Sequence, residues 1–418
     1  MGPRGVDVII VGAGLAGLTC ARHLHRSGAA VTVFEGAGRI GGRIKTDRVD
    51  GFLLDHGFQV LQTAYPEVRN GLNMAQLCLR RFPPGVIVCR DGHFHTLADP
   101  LRRPKYVFET ATAPVGSLAD RWRLLKLARD ICRGPAERLV GQPETTAMDF
   151  LVQQGFSARM RRSFFVPFFG GVCLDSQIRA SSRVLRYVFR MFATGDAALP
   201  EKGMEMIPRQ IARQIPSDRI HTGRRVDRVV ENRVILEDGS QWHARAVVVA
   251  TQGPEAQRLL NRPVSIDSAG ETCIYFSTRQ APVKEPFLVL NGDGRGPVNN
   301  VAFPSMVSPA YAPRGRHLVS AVVLDQPPGA DQPTESQVRS QMSNWFGPSA
   351  MEWDHLKTYR ITHALPNQAP PTPDPTKTPP VIGRGIYVCG EYGSLPGIQW
   401  AMLSGRRAAE AVAAHLRQ

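Results

Sequence analysis

Val6-Asp7-Val8-Ile9-Ile10-Val11-Gly12-Ala13-Gly14-Leu15-Ala16-Gly17 decides the fold, read together with the residues up to Glu35. The β-branched run before Gly12 suits a parallel strand buried on both faces. Glycines spaced GxGxxG come at once after it, then residues 18–26 at helical spacing, stopped by Ser27-Gly28. A second strand, 30–34, ends at Glu35, an acid 21 residues after Gly14. Gly12 permits the tight turn, Gly14 leaves room for a pyrophosphate at the backbone, and Gly17 lets the helix lie close to the sheet. The open N–H groups of the loop Gly12, Ala13, Gly14, Leu15, Ala16, Gly17 and the positive end of the helix then face phosphate. Glu35 would accept hydrogen bonds from a ribose 2′-hydroxyl and repel a 2′-phosphate. This unit predicts an α/β protein with a Rossmann-like dinucleotide-binding domain.

Just beyond it, Arg39-Ile40-Gly41-Gly42-Arg43 sets two glycines and two guanidinium groups where a second loop would wrap the same pyrophosphate. From Glu35 to Arg43 the chain resembles the ExxxRxGGR segment of the FAD-dependent superfamily of amine oxidases, protoporphyrinogen oxidases and phytoene desaturases. Leu54-Asp55-His56-Gly57-Phe58-Gln59 resembles that family's D-x-G segment, which implies that Gly57, Phe58 and Gln59 pass near the flavin ring. At the other end, residues 385–389 read as a buried strand, followed by Gly390-Glu391. Pro396-Gly397-Ile398-Gln399-Trp400-Ala401 then opens a helix ending near Leu416. This resembles the family's closing motif, with Gly390 and Glu391 at the ribityl–pyrophosphate region. In it Gly397, Ile398, Gln399 and Ala401 face the pyrimidine edge, where unpaired helix N–H groups favour the negative charge of a reduced flavin. Trp400 departs from the family's small glycine, and either reshapes the substrate face or sits in the core. Cys389 does not match the flavin-linked cysteine of monoamine oxidases, so the resemblance implies non-covalent FAD.

Between the ends, residues 199–208 resemble the family's P-x-x-G-M-x-x-L-P return segment. The resemblance also sets the backbone of Val226 against adenine and brings Thr251, at the end of the buried run 246–250, to the dinucleotide. The cofactor domain is expected at 1–80, 200–262 and 378–418, with an inserted α+β substrate domain at 81–199 and 263–377. The second insertion holds strand-like runs at 273–277, 287–290 and 318–324 and a helix near 335–346, and a Pro/Thr-rich linker comes next at 369–380.

The composition fits this reading. The 418 residues allow two to three domains. No apolar run reaches the roughly 18–20 residues of a membrane span, and no secretory signal is legible. Seven scattered cysteines form no CxxC and no Cys/His cluster, which points to reduced thiols in a cytoplasmic protein without a metal. The net charge of +15 comes mostly from 44 arginines. Seven of them lie between Arg159 and Arg190 against one acid, Asp175. There Pro167 argues against one continuous helix, and Arg179, Arg183, Arg186 and Arg190 form a basic stripe. The stripe reads as a solvated helix face, or as a peripheral contact with an anionic membrane. No nucleic-acid reading motif accompanies it.

The expected function is oxidoreduction: FAD removes a hydride from a C–N or C–C bond of a largely apolar small molecule, amine or otherwise, and passes electrons to O2 or another acceptor. The phenylalanines at 164–169 suit an apolar, desaturase-like substrate. Amine-oxidase relatives often carry a lysine near the reactive flavin atom, for which Lys284 is the candidate; no catalytic side chain is otherwise identified. The alternatives are a redox-neutral flavin isomerase and a basic, membrane-associated binding protein with structural FAD. The sequence sets no oligomeric state.

Overall fold

The computed structural model describes residues 6–261, 268–324, 333–390 and 394–418. Five parallel strands lie in the order Ile220–Thr222, Val31–Glu35, Val6–Val11, Gln241–Val249, Ile386–Val388. Val8, Ile9, Ile10, Val33, Val247 and Val248 are wholly buried, so the centre of this sheet is covered on both faces and its strands there run apolar rather than alternating. The start of Gln241–Val249 also pairs antiparallel with Arg233–Leu236, which folds back on Val226–Val230. From Val6–Val11 the chain crosses by the helix Leu15–Arg26 to Val31–Glu35 on one side, while Gln241–Val249 lies on the other. The order of connection therefore reverses beside Val6–Val11, and the crevice beyond its carboxyl end is where such sheets take ligands. The closing helix Ile398–Leu416 packs on Leu15–Arg26 so tightly that a Cβ on Gly405 would strike the Ala16 carbonyl.

A second, mostly antiparallel sheet of seven strands runs Asp354–Pro366, Ser268–Thr278, His317–Leu324, Val298–Ala302, Leu288–Asn291, Gly85–Arg90, His93–Ala98. The helix Glu335–Phe346 sits with its apolar side against this sheet's core. Helices of 118–194 pack through Leu127, Leu151, Phe165 and Leu185 onto Val86, Val88 and Leu290. The second sheet is tied to the cofactor side at Asp55: Tyr275 Oη donates to its carbonyl (3.0 Å) and Tyr311 Oη to its carboxylate (2.8 Å).

The structure corrects three expectations. Residues 158–173 run on as one helical stretch despite Pro167, because Arg161–Phe165 forms a π-helical turn before Val166–Cys173. The wider turn absorbs the missing N–H and makes room for the proline ring. The phenylalanines of this stretch are core: Phe164, Phe165 and Phe169 are buried, and Phe165 packs on Phe156 at 4.7 Å between ring centres. The basic stripe faces the protein. On the helix Ser182–Thr194, Arg183 donates to Gln142 O (2.5 Å), Arg186 to Pro143 O (2.7 Å), and Arg190 to Ile131 O (2.9 Å) and Gly134 O (2.7 Å). Guanidinium groups committed to loop carbonyls form neither a solvated face nor a lipid-binding one; only Arg179, paired with Asp175, stays exposed.

Candidate functional site

At the crevice the three glycines of the first turn have different roles. Gly12 has φ +108°, and a Cβ there would lie 2.8 Å from the Ala250 carbonyl oxygen. A Cβ on Gly17 would collide with the Gly12 carbonyl. The fold itself requires both. Gly14 is extended (φ −75°, ψ −178°), and a Cβ would meet only the Gly42 Cα, at 3.9 Å. Nothing in the protein demands glycine at 14; the space beside it is kept for something else. The second loop closes on this turn through its glycines, with Gly41 N donating to Ala13 O (2.9 Å). The helix Leu15–Arg26 starts at Gly14 with no side-chain cap and no acid in its first turn, so its leading N–H groups and positive end face the gap.

Around that gap, Glu35 accepts from the N–H groups of Ala13 (2.7 Å) and Ala37 (2.9 Å), which ties its carboxylate to the turn and leaves further lone pairs outward. Thr251 Oγ1 and Ser394 Oγ are buried with no hydrogen-bond partner among the described residues. Orphaned hydroxyls are uncommon in native interiors; Thr251 adjoins the glycine turn, its N lying 3.4 Å from where a Cβ on Gly12 would sit, whereas Ser394 lies with Pro375, Pro380, Ser404 and Arg407 near the closing helix. Gly390 (φ +102°) donates its N–H to Ser404 Oγ (3.0 Å). Glu391 lies outside the described residues. An open glycine, an uncapped helix start and the waiting hydroxyl of Thr251 fit a bound dinucleotide.

Other expected residues are placed differently. Arg39 donates to Thr46 O (3.1 Å) and pairs with Asp47 (2.5 Å), and Arg43 donates to His363 O (3.0 Å). The second loop thus meets the first by backbone, while both guanidinium groups are drawn to acceptors farther out. Gln59 spends its amide on Arg43 O (3.0 Å) and His56 O (2.9 Å), and Phe58 packs on Phe82. Val226 opens its strand, and its carbonyl accepts from Arg258 (2.8 Å). Gly397, at φ +108°, precedes the uncapped start of Ile398–Leu416; Ile398 is buried there and Ala401 half-buried. Gln399 turns away, its oxygen taking the Glu67 N–H (2.9 Å). Trp400 is buried 4.6 Å from the Tyr187 ring, which settles it as core. Lys284 lies on the loop before Leu288–Asn291 and is exposed, away from the residues of the gap.

Two carboxylates carry roles that the sequence reading did not give them: Asp55, quoted there only within its motif, and Glu271. Asp55 is fully buried, accepting from Thr46 Oγ1 (2.5 Å), Met204 N (3.0 Å) and Tyr311 Oη. Burial pushes its pKa up to about 6, more than those hydrogen bonds pull it down. Glu271, 6% exposed on Ser268–Thr278, brings Oε1 against the Cα of Gly57 (φ +84°), where a Cβ could not fit. Strand alternation sets Glu271, Cys273 and Tyr275 on one face, and Tyr275 Oη reaches the carbonyls of Asp55 and Gly57. A chain of contacts thus runs from the glycine gap through Gly42, Arg43 and Gln59 to the segment of Gly57, against which Glu271 lies. The one signal for Glu271 in the sequence is an acid in the otherwise uncharged run 268–278.

Comparisons with known proteins agree with this geometry. The family described as flavin containing amine oxidoreductase matches residues 15–413. Protoporphyrinogen oxidase 2 of Arabidopsis thaliana is 28% identical over 167 residues, 40% of this chain and 32% of that protein. Putrescine oxidase of Kocuria rosea is 38% identical over 93 residues, 22% of this chain and 20% of that one. The chain therefore spans a third or less of these curated relatives' lengths. The solved cyclohexylamine oxidase of Brevibacterium oxydans has a TM-score of 0.72 at 19% identity, covering 99% of this chain and 100% of that one, a likeness of fold. The cofactor expected from the terminal motifs, FAD, agrees with the family's description. With its glycine turn, closing helix and match along nearly the whole chain, this protein belongs to the flavin-containing amine oxidoreductase family.

Proposed function

We propose that this chain oxidises an amine. FAD is held non-covalently, its pyrophosphate in the gap beside Gly14 and Gly42, its adenosine ribose on Glu35, and Thr251 as a hydroxyl partner. The cofactor module is 1–80, 200–262 and 378–418; the substrate module is 81–199 and 263–377. Bound there, the flavin supplies a two-electron acceptor for the C–H bond next to nitrogen, to be reoxidised by O2 or another acceptor.

The observation that carries the amine assignment is the placement of Glu271, a carboxylate buried against Gly57, in the segment joined to the glycine gap through Gln59 and Arg43. A carboxylate held away from water attracts a cation strongly, and a protonated amine reaching Glu271 beside Gly57 is such a cation, added to the contact Glu271 makes within the protein. Glu271 Oε1 would first pair with the ammonium group and then take its proton, freeing the nitrogen lone pair that the oxidation requires. The desaturase-like alternative loses its main support, since the phenylalanines at 164–169 are spent on packing.

The test mixes flavin-loaded protein anaerobically with cyclohexylamine and records the rate of flavin bleaching against amine concentration, which yields the amine's dissociation constant, with cyclohexanol as a competitor. Glu271→Gln should keep its flavin and raise the dissociation constant for the amine roughly 10- to 100-fold, the loss of one charged hydrogen bond. Cyclohexanol, neutral and of similar shape, should bind both proteins alike. Equal amine affinity in the two would remove Glu271 as the amine's counter-ion.

A further inference from the structure

Eleven large apolar side chains are exposed among the described residues, and six of them fall between Leu101 and Leu125. They include the four most exposed: Leu101 (90%), Phe108 (78%), Leu118 (73%) and Trp122 (69%). These side chains are held outward by the fold. The helix Leu118–Cys132 buries Asp120, Leu127 and Ile131, and a capping box between Ser117 and Asp120 fixes its start. Its outer face carries Leu118, Trp122 and Leu125, then Lys126 and Arg129. Arg121 binds the short helix Val107–Thr112 alongside by donating to the carbonyls of Thr110 (2.7 Å), Ala113 (2.5 Å) and Gly116 (3.2 Å). Phe108, on that short helix, and Leu118, at the start of the longer one, are both exposed.

We propose that this surface, built from residues 101–129, docks on an anionic lipid bilayer. Charge selects that occupant. Of the eight Lys and Arg in residues 101–133, Arg102, Arg103, Arg121, Arg123 and Arg133 meet acids or carbonyls of the protein, which leaves Lys105, Lys126 and Arg129 on the exposed face. Lys126 and Arg129 pair with no acid among the described residues, and Lys105 stays exposed although it meets Glu285. A second copy meeting this patch about a two-fold axis would face the same basic side chains, whereas acidic headgroups complement them. An amphipathic face of Leu, Phe and Trp bordered by Lys and Arg is the chemistry that settles at a headgroup boundary. The basic stripe of 179–190, which the sequence alone offers for this role, has its guanidinium groups taken by loop carbonyls. The docking surface lies on different residues.

The experiment is co-sedimentation of the flavin-loaded protein with vesicles of phosphatidylcholine alone and of phosphatidylcholine with phosphatidylserine, at low and high salt. Wild type should pellet with the anionic vesicles at low salt and be released by salt. Phe108→Ser, Trp122→Ser and Leu125→Ser should each lower partition roughly tenfold. Lys126→Gln with Arg129→Gln should abolish the preference for phosphatidylserine. Brominated lipid should quench part of the tryptophan emission in wild type and none of that part in Trp122→Phe. All these positions are exposed, so flavin content and melting temperature should not change. Absence of binding to anionic vesicles at low salt overturns the proposal, as does binding that the serine variants leave intact. Wild-type self-association lost in the serine variants, without vesicle binding, would assign the patch to a second copy instead.

Discussion

Gly14→Val should yield a folded chain that carries no flavin. The backbone at residue 14 is extended and open to any side chain, and a Cβ there touches nothing of the protein nearer than Gly42 Cα at 3.9 Å. Losing glycine at the helix start costs the protein about 1 kcal/mol. The valine methyl groups instead fill the gap between the two glycine loops, where the pyrophosphate would lie. FAD affinity should fall at least roughly 100-fold, so that purified protein is colourless. Gly17→Val provides the contrast. Its side chain would collide with the Gly12 carbonyl and the Ala250 side chain, and overpacking of that kind costs about 3 kcal/mol or more. Circular dichroism and urea unfolding separate the two outcomes. A folded Gly14→Val protein with a full complement of flavin would show that the gap is not the pyrophosphate site.

Asp55→Ala should cost about 3–5 kcal/mol of unfolding free energy near pH 4, because Thr46 Oγ1, Met204 N and Tyr311 Oη would lose a buried acceptor together. Asp55→Asn keeps an oxygen for the first two and should recover most of that. The pH dependence has a definite sign. With a folded pKa of about 6, above the roughly 3.9 of an unfolded aspartate, Asp55 binds its proton more tightly in the folded chain. Its contribution is complete below pH ~4 and is lost as pH rises through ~6, a fall of roughly 3 kcal/mol that Asp55→Asn should erase. Asp47 acts oppositely. Burial raises its pKa, but hydrogen bonds from Lys357, Tyr359, Arg39 and His56 outweigh this and hold it well below the carboxylate range. Its stabilisation is therefore present above pH ~4 and is lost on further acidification. Urea unfolding at pH 4, 5, 6 and 7 reads the Asp55 effect and further points below pH ~4 read that of Asp47; a wild-type profile identical to that of Asp55→Asn between pH 4 and 7 would refute the Asp55 account.

The parts legible from sequence are those where local pattern and chemistry coincide. The run Val6–Val11 and the glycine turn carry backbone requirements that the structure bears out, Gly12 and Gly17 being forced by close approach; Glu35, read from sequence as a ribose ligand, also accepts from Ala13 of the turn and from Ala37. The strand Ile386–Val388 and the helix Ile398–Leu416 are readable for the same reason. Side-chain direction is not. Arg39, Arg43 and Gln399 sit where the motif sets them in sequence, yet each finds an acceptor or donor supplied by another segment: Asp47, His363 O or Glu67 N. Arg183, Arg186 and Arg190 form a true helical stripe, but only the tertiary fold shows a loop lying across it. Glu271 is hidden from a sequence reading because its partner surface, Gly57, is more than 200 residues away along the chain.

Amine oxidation by a flavin held at the Gly14 gap is tested most directly by anaerobic mixing of the flavin-loaded protein with a primary amine, cyclohexylamine or putrescine, while the visible absorbance of oxidised flavin is monitored. The account predicts that this band disappears at one amine per flavin, returns when air is admitted, and responds only at much higher amine concentration in Glu271→Gln. A band that persists with every amine tried, in protein whose flavin dithionite still reduces, would contradict it.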